Sequence, residues 1–297
     1  MKIFLIGASG SIGWPLFQFL KKKKKLIGTY NRNHKPGLIK FSLGADKSEN
    51  SLIKKISDQD VVILMSSETN VEWVCDNPKK SFNINYIYMV KFIKKIIERK
   101  ARIIYFSSAE VFNGKKGFYT EKSIPNPVNV YGKTKFKVEN FLKKIKYKNY
   151  QIIRTGRNVN MSVEYKCMIK DTYQRLLDDG AKMAEDNLFT ITHMNDFNTA
   201  ILKLINSESK KKIFHICSDE VLSRVKFANL IKKNSKYKHK MKYKIVKFKD
   251  VGYKEPRACK NNLKCGETVK ILKIKFKDAK SIIKEKVKIL DRISNVK

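Results

Sequence analysis

An α/β fold with a doubly wound parallel sheet is predicted by three observations. An apolar strand at the N-terminus runs directly into a Gly-x-x-Gly-x-x-Gly turn, short apolar runs then alternate with helical stretches, and a serine-rich strand end is followed by a Tyr-x-x-x-Lys pair on a helix. Strands that alternate with helices imply βαβ units, and βαβ units imply parallel pairing.

The first strand is Lys2 to Ile6, and the turn is Gly7-Ala8-Ser9-Gly10-Ser11-Ile12-Gly13. An amphipathic helix from Trp14 to Leu20 follows, ending in the cations Lys21 to Lys25, which suit the negative end of a helix dipole. Leu26 to Tyr30 reads as the second strand, and further buried strands are expected at Val61 to Met65, Ile103 to Phe106 and Ile152 to Ile153. Helices are expected at Phe82 to Ile97 and Lys133 to Ile145. Beyond about residue 155 the rhythm loosens. A helix at Tyr165 to Leu177, a strand at Phe189 to Ile191, a helix at Asp196 to Ile205 and a strand at Ile213 to Cys217 are expected there, followed by a basic region, Lys232 to Lys249. The expected organisation is a Rossmann-type dinucleotide-binding domain over residues 1–155, carrying the catalytic residues, and a smaller C-terminal substrate-binding lobe over 156–297 with some segments returning to the main sheet.

Composition narrows the functional classes. With 42% hydrophobic and 11% aromatic residues the chain can bury a sizeable core. No apolar run approaches the roughly 18 to 20 residues of a membrane span, and Ile3 to Ile6 is too short for a signal-peptide core, so a cytoplasmic location and no membrane partner are expected. Cys75, Cys167, Cys217, Cys259 and Cys265 form no Cys-x-x-Cys pair, which argues against a zinc site and against a disulfide framework; no metal is expected. A formal charge of +38, from 65 basic and 27 acidic residues, raises nucleic acid as a partner. Lysines spread along the whole chain, with little arginine, argue against a dedicated nucleic-acid surface, and nucleic acid is set aside. A positive field would still attract an anionic cofactor and an anionic nucleotide-linked substrate.

The glycine turn sits where a dinucleotide-binding turn belongs, after a strand and opening a helix. Gly7 permits the tight turn, Gly10 lets the backbone approach a pyrophosphate, and Gly13 allows close helix-to-strand packing, while the helix N-terminus favours the phosphate charge. Ser9, Ser11 and Ile12, within the turn, share the cofactor contact. The second strand ends in Thr29-Tyr30-Asn31-Arg32-Asn33, without the acidic residue that would bond a ribose 2′-hydroxyl. Arg32 instead suits a 2′-phosphate, with Asn31 beside it among the cofactor contacts, so NADP(H) is favoured over NAD(H).

Tyr131 and Lys135 are four residues apart and share a helix face. A free phenol, with a pKa of about 10, exchanges protons poorly at neutral pH. A neighbouring ammonium and an oxidised nicotinamide are expected to pull it down. Ser108, at the carboxyl end of a parallel strand, is placed to hydrogen-bond a reacting carbonyl.

The run SSAEVFNGKKGFYTEKSIPNPVNVYGKTKFKVE resembles the corresponding stretch of the extended short-chain dehydrogenases/reductases, and within them the dTDP-4-dehydrorhamnose reductases and related nucleotide-sugar reductases. The resemblance extends to Thr69-Asn70-Val71 with Asn85, to Ile153-Arg154-Thr155, to Ile213-Phe214-His215-Ile216 with Leu222-Ser223-Arg224, and to Glu255-Pro256-Arg257. It implies that Ser108, Tyr131 and Lys135 are catalytic and that Tyr131 and Lys135 also meet the cofactor, Lys135 at the nicotinamide ribose. By the same resemblance, Ser66 and Ser67 line the cofactor channel, and Thr69, Asn70, Ser108, Arg224 and Arg257 lie at the substrate pocket. It further implies reduction of a nucleotide-activated 4-keto-6-deoxysugar, with a nucleotide-sugar 4-epimerase holding NAD, or an NADP-binding regulatory subunit, as alternatives. By analogy, a homodimer would form through the helices at 82–97 and 133–145. Two departures stand out. The dehydratase branch carries an adjacent Asp-Glu pair where this chain has Ala109-Glu110, which disfavours dehydration. Gly156-Arg157-Asn158 replaces the usual aromatic after Arg-Thr, which leaves the sugar open.

Overall fold

The computed structural model describes residues 1–165, 167–178 and 181–294. In chain order the elements begin β1 (Ile3–Ile6), α1 (Gly13–Lys21), β2 (Leu26–Tyr30), β3 (Leu38–Lys40), α2 (Asp46–Ile53), β4 (Val61–Leu64), α3 (Val71–Asp76) and α4 (Pro78–Phe82). A π-helical stretch, Asn83–Ile87, joins α4 to α5 (Tyr88–Glu98), and β5 (Arg102–Phe106) leads through a 3₁₀ turn, Ala109–Val111, towards α6 (Val130–Lys144). The remainder comprises β6 (Tyr150–Thr155), β7 (Arg157–Val159), α7 (Met168–Leu177), β8 (Lys182–Ala184), β9 (Leu188–His193), α8 (Met194–Ile205), β10 (Ile213–Ile216), β11 (Val221–Ser223), α9 (Arg224–Asn234), β12 (Lys244–Val246), α10 (Gly266–Leu272) and α11 (Ala279–Ile293).

Seven of the strands form one sheet in the order β10-β6-β5-β4-β1-β2-β3, every pair parallel. Strand order reverses between β1 and β4, and the crevice at their carboxyl ends is where such sheets bind ligands. Period-2 alternation makes the sheet two-sided. Ile3 and Leu5 pack with Leu16, Phe17 and Leu20 of α1 and Phe197, Ile201 and Leu204 of α8. Phe4 and Ile6 pack on the opposite face with Leu52, Phe92, Ile93, Ile96, Val138 and Leu142 from α2, α5 and α6. In α5 the buried residues Met89, Phe92, Ile93 and Ile96 recur at helical spacing, the apolar stripe that docks a helix on a sheet. Burying each such side chain stabilises by roughly 1.5–3 kcal/mol.

A separate apolar cluster joins α7, α9 and α11 through Ile169, Tyr173, Leu176, Phe227, Ile231, Ile283 and Val287. Smaller sheets accompany it, β11-β9-β7 and β12-β8. The helix expected from Tyr165 begins at Met168, residue 166 lying outside the described residues, as do the final residues 295–297 of the C-terminal half. The helix expected to run unbroken from Phe82 to Ile97 is interrupted by its π stretch. Among the described residues no helix is long and apolar enough to cross a membrane.

Candidate active site

The turn after β1 is shaped by its glycines. Gly7 takes φ +90°, a left-handed conformation costly to other residues, and a Cβ on Gly13 would stand 2.3 Å from the Gly7 carbonyl oxygen. The Gly7 N–H donates to Thr29 Oγ1 of β2 at 3.0 Å, which fixes the turn to its neighbouring strand. No side chain caps α1, so amides of the turn are left for an anionic ligand. Gly7, Ser9, Gly10, Asn31, Arg32, Ser66 and Ser67 line one end of the resulting cleft. Ser11, Ile12 and Gly13 line the other end together with Ser108, Tyr131 and Lys135. The turn and the residues expected to be catalytic thus share one crevice.

The far wall is braced from the π stretch. Buried Asn85 accepts from Ser67 Oγ at 2.9 Å and from the Glu68 N–H at 2.8 Å, and donates to the Glu68 carbonyl at 3.0 Å. A π bulge turns one residue out of helical register. Asn85 is the buried residue of this one. Arg32 is mostly exposed and pairs with Glu68 at 3.1 Å, so a 2′-phosphate there would compete with a carboxylate.

Ser108 follows β5, and its hydroxyl accepts from the Glu110 N–H at 3.2 Å. Tyr131 stands in the first turn of α6, which Asn129 caps by accepting from the Gly132 N–H at 2.7 Å. A Cβ on Gly132 would lie 2.1 Å from the Glu110 carbonyl oxygen, which shows how closely α6 presses on the strand end bearing Ser108. Lys135, one turn on, donates to the Phe106 carbonyl at 2.9 Å, and its Nζ lies 5.8 Å from the Tyr131 ring centroid. Burial pushes the Tyr131 phenol up, the Glu110 charge adds to this, and a hydrogen bond with Ser108 opposes it. Burial brings Lys135 down to about 7, with Glu139 opposing. Desolvation dominates both groups, so the ammonium by itself does not pull the phenol down as the sequence reading expected of it together with a nicotinamide. Tyr131 holds its proton, as an acid must.

A second cavity adjoins the first through Thr69, Ser108, Tyr131, Thr155 and Gly156. Arg224 and Arg257 line it as expected. Arg224 Nε donates to Asn187 Oδ1 at 3.0 Å, and the Arg257 guanidinium lies 4.4 Å from the Tyr253 ring centroid. Burial, reinforced by Arg157, brings Arg224 down to about 9. Asn70 is corrected: its side chain accepts from the N–H groups of Glu72 and Trp73 at 3.1 and 3.3 Å, capping α3, and it does not line the cavity. Glu110 reaches the cavity with both oxygens occupied, each accepting at 2.7 Å, from Asn129 and Asn261.

Sequence reasoning did not assign Arg157, Arg175, Asn187 or Tyr253 to the site. Arg157 lines this cavity and the outer one it opens into, where Arg175 joins it. The buried Nε of Arg157 has no hydrogen-bond partner among the described residues. The departure at Gly156-Arg157-Asn158 was its one trace in the sequence.

Comparison with known proteins adds three findings. The family described as RmlD substrate binding domain matches residues 1–292. Among curated proteins, methionine adenosyltransferase 2 subunit beta of Bos taurus is 27% identical over 139 residues, 46% of this chain and 41% of that protein, so the match spans well under half the length of that relative. Among solved structures, a hypothetical dTDP-4-dehydrorhamnose reductase from Sulfolobus tokodaii superposes with a TM-score of 0.81 at 25% identity, covering 95% of this chain and 99% of that one. A dTDP-4-dehydrorhamnose reductase from Bacillus anthracis, in complex with NADP, shares the fold with a TM-score of 0.79 at 19% identity, covering 95% and 96%.

Proposed function

The chain belongs to the RmlD substrate binding domain family, within the extended short-chain dehydrogenases/reductases, and from that membership we propose that it reduces the keto group of a nucleotide-activated 4-keto-6-deoxysugar with NADPH. The observation that carries the reading is the continuity of one cleft: the glycine turn, Ser108, Tyr131 and Lys135 line it together, and it opens at Ser108 and Tyr131 onto a cavity bearing three arginines.

The residues present fit a dinucleotide. Gly7, Ser9, Gly10, Ser11, Ile12 and Gly13 would hold its pyrophosphate, Asn31 and Arg32 its adenosine end, Ser66 and Ser67 its channel, and Lys135 its nicotinamide ribose. When bound, NADPH supplies the hydride delivered to the keto carbon. Ser108 orients the carbonyl by donating to its oxygen. Tyr131, whose proton is retained by burial, gives that proton to the same oxygen as negative charge develops. Lys135 contributes positive charge beside the phenol as the proton leaves. Arg157, Arg224 and Arg257 would hold the diphosphate, fork-shaped donors against tetrahedral oxygens. All three arginines line both this cavity and the outer one. Asn70 drops out of the proposed substrate contacts and Arg157 enters them.

A screen of NADPH oxidation against dTDP-, UDP-, GDP- and CDP-linked 4-ketosugars tests this reading. Oxidation with one nucleotide class is the expected result, and none with any class contradicts it. The relatives named as a subunit of a methionine adenosyltransferase favour a second reading, an NADP-binding regulatory subunit. In that case the protein would bind NADPH, leave every ketosugar untouched and co-purify with an adenosyltransferase.

A further inference from the structure

We infer that Glu139 is a positioning residue for the reaction: its buried carboxylate ties the end of β5 to α6 and sets a fixed negative charge one helical turn beyond Lys135. The inference rests on the reductase reading above.

Glu139 is fully buried at the centre of a four-element junction. Ser107 Oγ, adjacent to Ser108, donates to its Oε1 at 2.6 Å. Arg154 of β6 grips it with two bonds, Nε to Oε1 at 2.9 Å and Nη2 to Oε2 at 2.6 Å. Lys143, one turn further along α6, stands 3.6 Å from Oε2. Behind Arg154, Nη1 lies 3.5 Å from His215 Nε2 on β10, and His215 Nδ1 lies 3.0 Å from the Lys264 carbonyl. Burial and the Arg154 charge hold His215 down to about 3, so it is neutral, with Nδ1 donating to the carbonyl and Nε2 free to accept from Arg154.

One carboxylate therefore locks together the strand end that carries Ser108, the helix that carries Tyr131 and Lys135, and the strand that ends at Thr155 in the wall of the cleft. A buried ion pair is weak evidence that the charge serves stability. Buried ion pairs pay heavy desolvation, and apolar pairs of similar volume commonly serve as well or better. What the carboxylate adds is its field on Lys135.

The groups around Lys135 come from two elements. Tyr131 and Glu139 share its helix, while β5 presents the Tyr105 ring at 5.1 Å and the Phe106 carbonyl. The Tyr105 hydroxyl is buried with no hydrogen-bond partner among the described residues, and burial raises its pKa, so it carries no charge. Ser107 is uncharged, Arg154 and Lys143 contact the carboxylate itself, and His215 meets Arg154. Glu139 is thus the anion that counters the desolvation of the Lys135 ammonium.

The test is the pH dependence of NADPH affinity, read from the fluorescence of the bound nicotinamide and needing no sugar substrate. In the wild type, affinity should fall as Lys135 loses its proton, and Lys135→Met should abolish that limb. In Glu139→Gln the limb should move to lower pH by about one unit, because an opposite charge has gone. That variant strands the Arg154 charge and can unfold. Glu139→Gln combined with Arg154→Met strands none, and because the Arg154 cation leaves with the carboxylate it should show a smaller shift in the same direction, with a wild-type circular dichroism spectrum. A limb that stays at the wild-type pH in the folded double variant overturns the inference and leaves the reductase reading intact. A wild type that does not bind NADPH overturns both.

Discussion

The cofactor cleft and the arginine-lined cavity beside it meet at Ser108 and Tyr131 yet are built from different materials. The turn end of the cleft is shaped mainly by backbone: Gly7 in a left-handed turn, Gly13 pressed against the Gly7 carbonyl, an uncapped α1, and short side chains such as Ser67 and Thr29 fixing the walls. The cavity is mainly long side chains, Arg157, Arg224, Arg257 and Tyr253, projecting from three separate segments of the C-terminal half. A site made of backbone constrains sequence locally, whereas one made of converging side chains can be rebuilt by single substitutions. The cleft should therefore tolerate little change, and the cavity should tune specificity.

Four substitutions can break or sharpen that contrast. Tyr131→Phe acts where the regions meet. It should lower the turnover number by about 10³-fold, within the range of one lost acid catalyst, while NADPH binds as before in fluorescence titration. Gly13→Val acts on backbone geometry. With its Cβ 2.3 Å from the Gly7 carbonyl oxygen, the turn must open, and NADPH affinity should fall by about 10²-fold, as overpacking of 1–3 kcal/mol implies. Arg157→Met acts in the cavity alone: KM for the nucleotide sugar should rise by about 30-fold, as loss of a charged hydrogen bond implies, with kcat and NADPH affinity near wild type. Arg32→Ala should reduce the preference for NADPH over NADH by about tenfold, a modest effect because the side chain is exposed and shared with Glu68. Steady-state kinetics with both cofactors checks it. Should Arg157→Met weaken NADPH as much as the sugar, the division into two regions fails.

Lys135 gives the contrast a pH signature. Its ammonium is brought down to about 7 in the folded protein, against about 10.4 for an unfolded lysine. Between those values the unfolded chain binds the extra proton, so stability should rise with pH across that window. Lys135→Met should flatten the rise and stabilise the cofactor-free protein near neutral pH by about 1 kcal/mol or more, at the expense of turnover. Calorimetry across the window checks both.

What the sequence made legible follows the same division. The first strand, the glycine turn, and Ser108 with Tyr131 and Lys135 could be read because each depends on neighbours a few residues away. The unbroken helix expected from Phe82 failed because a π bulge keeps nearly the same apolar periodicity while turning Asn85 into the β4 loop. Asn70 was misread for a related reason. It stands where the resemblance places a substrate contact, but a residue directly before a helix has two orphan N–H groups to satisfy, and its side chain goes there. Arg157 was noticed solely as a departure, since nothing local indicates that a chain turn after β6 will face Arg224 from α9 and Arg257 from a loop far downstream.

The most direct measurement uses NADPH carrying deuterium at the transferable nicotinamide position, mixed with the protein and the nucleotide-linked 4-ketosugar that supports oxidation. Mass spectrometry of the product should find one deuterium on the former keto carbon with wild-type protein and about a thousandth as much in the same time with Tyr131→Phe. Deuterium that remains wholly on the dinucleotide, with every ketosugar offered and the cofactor demonstrably bound, would contradict reduction at this site.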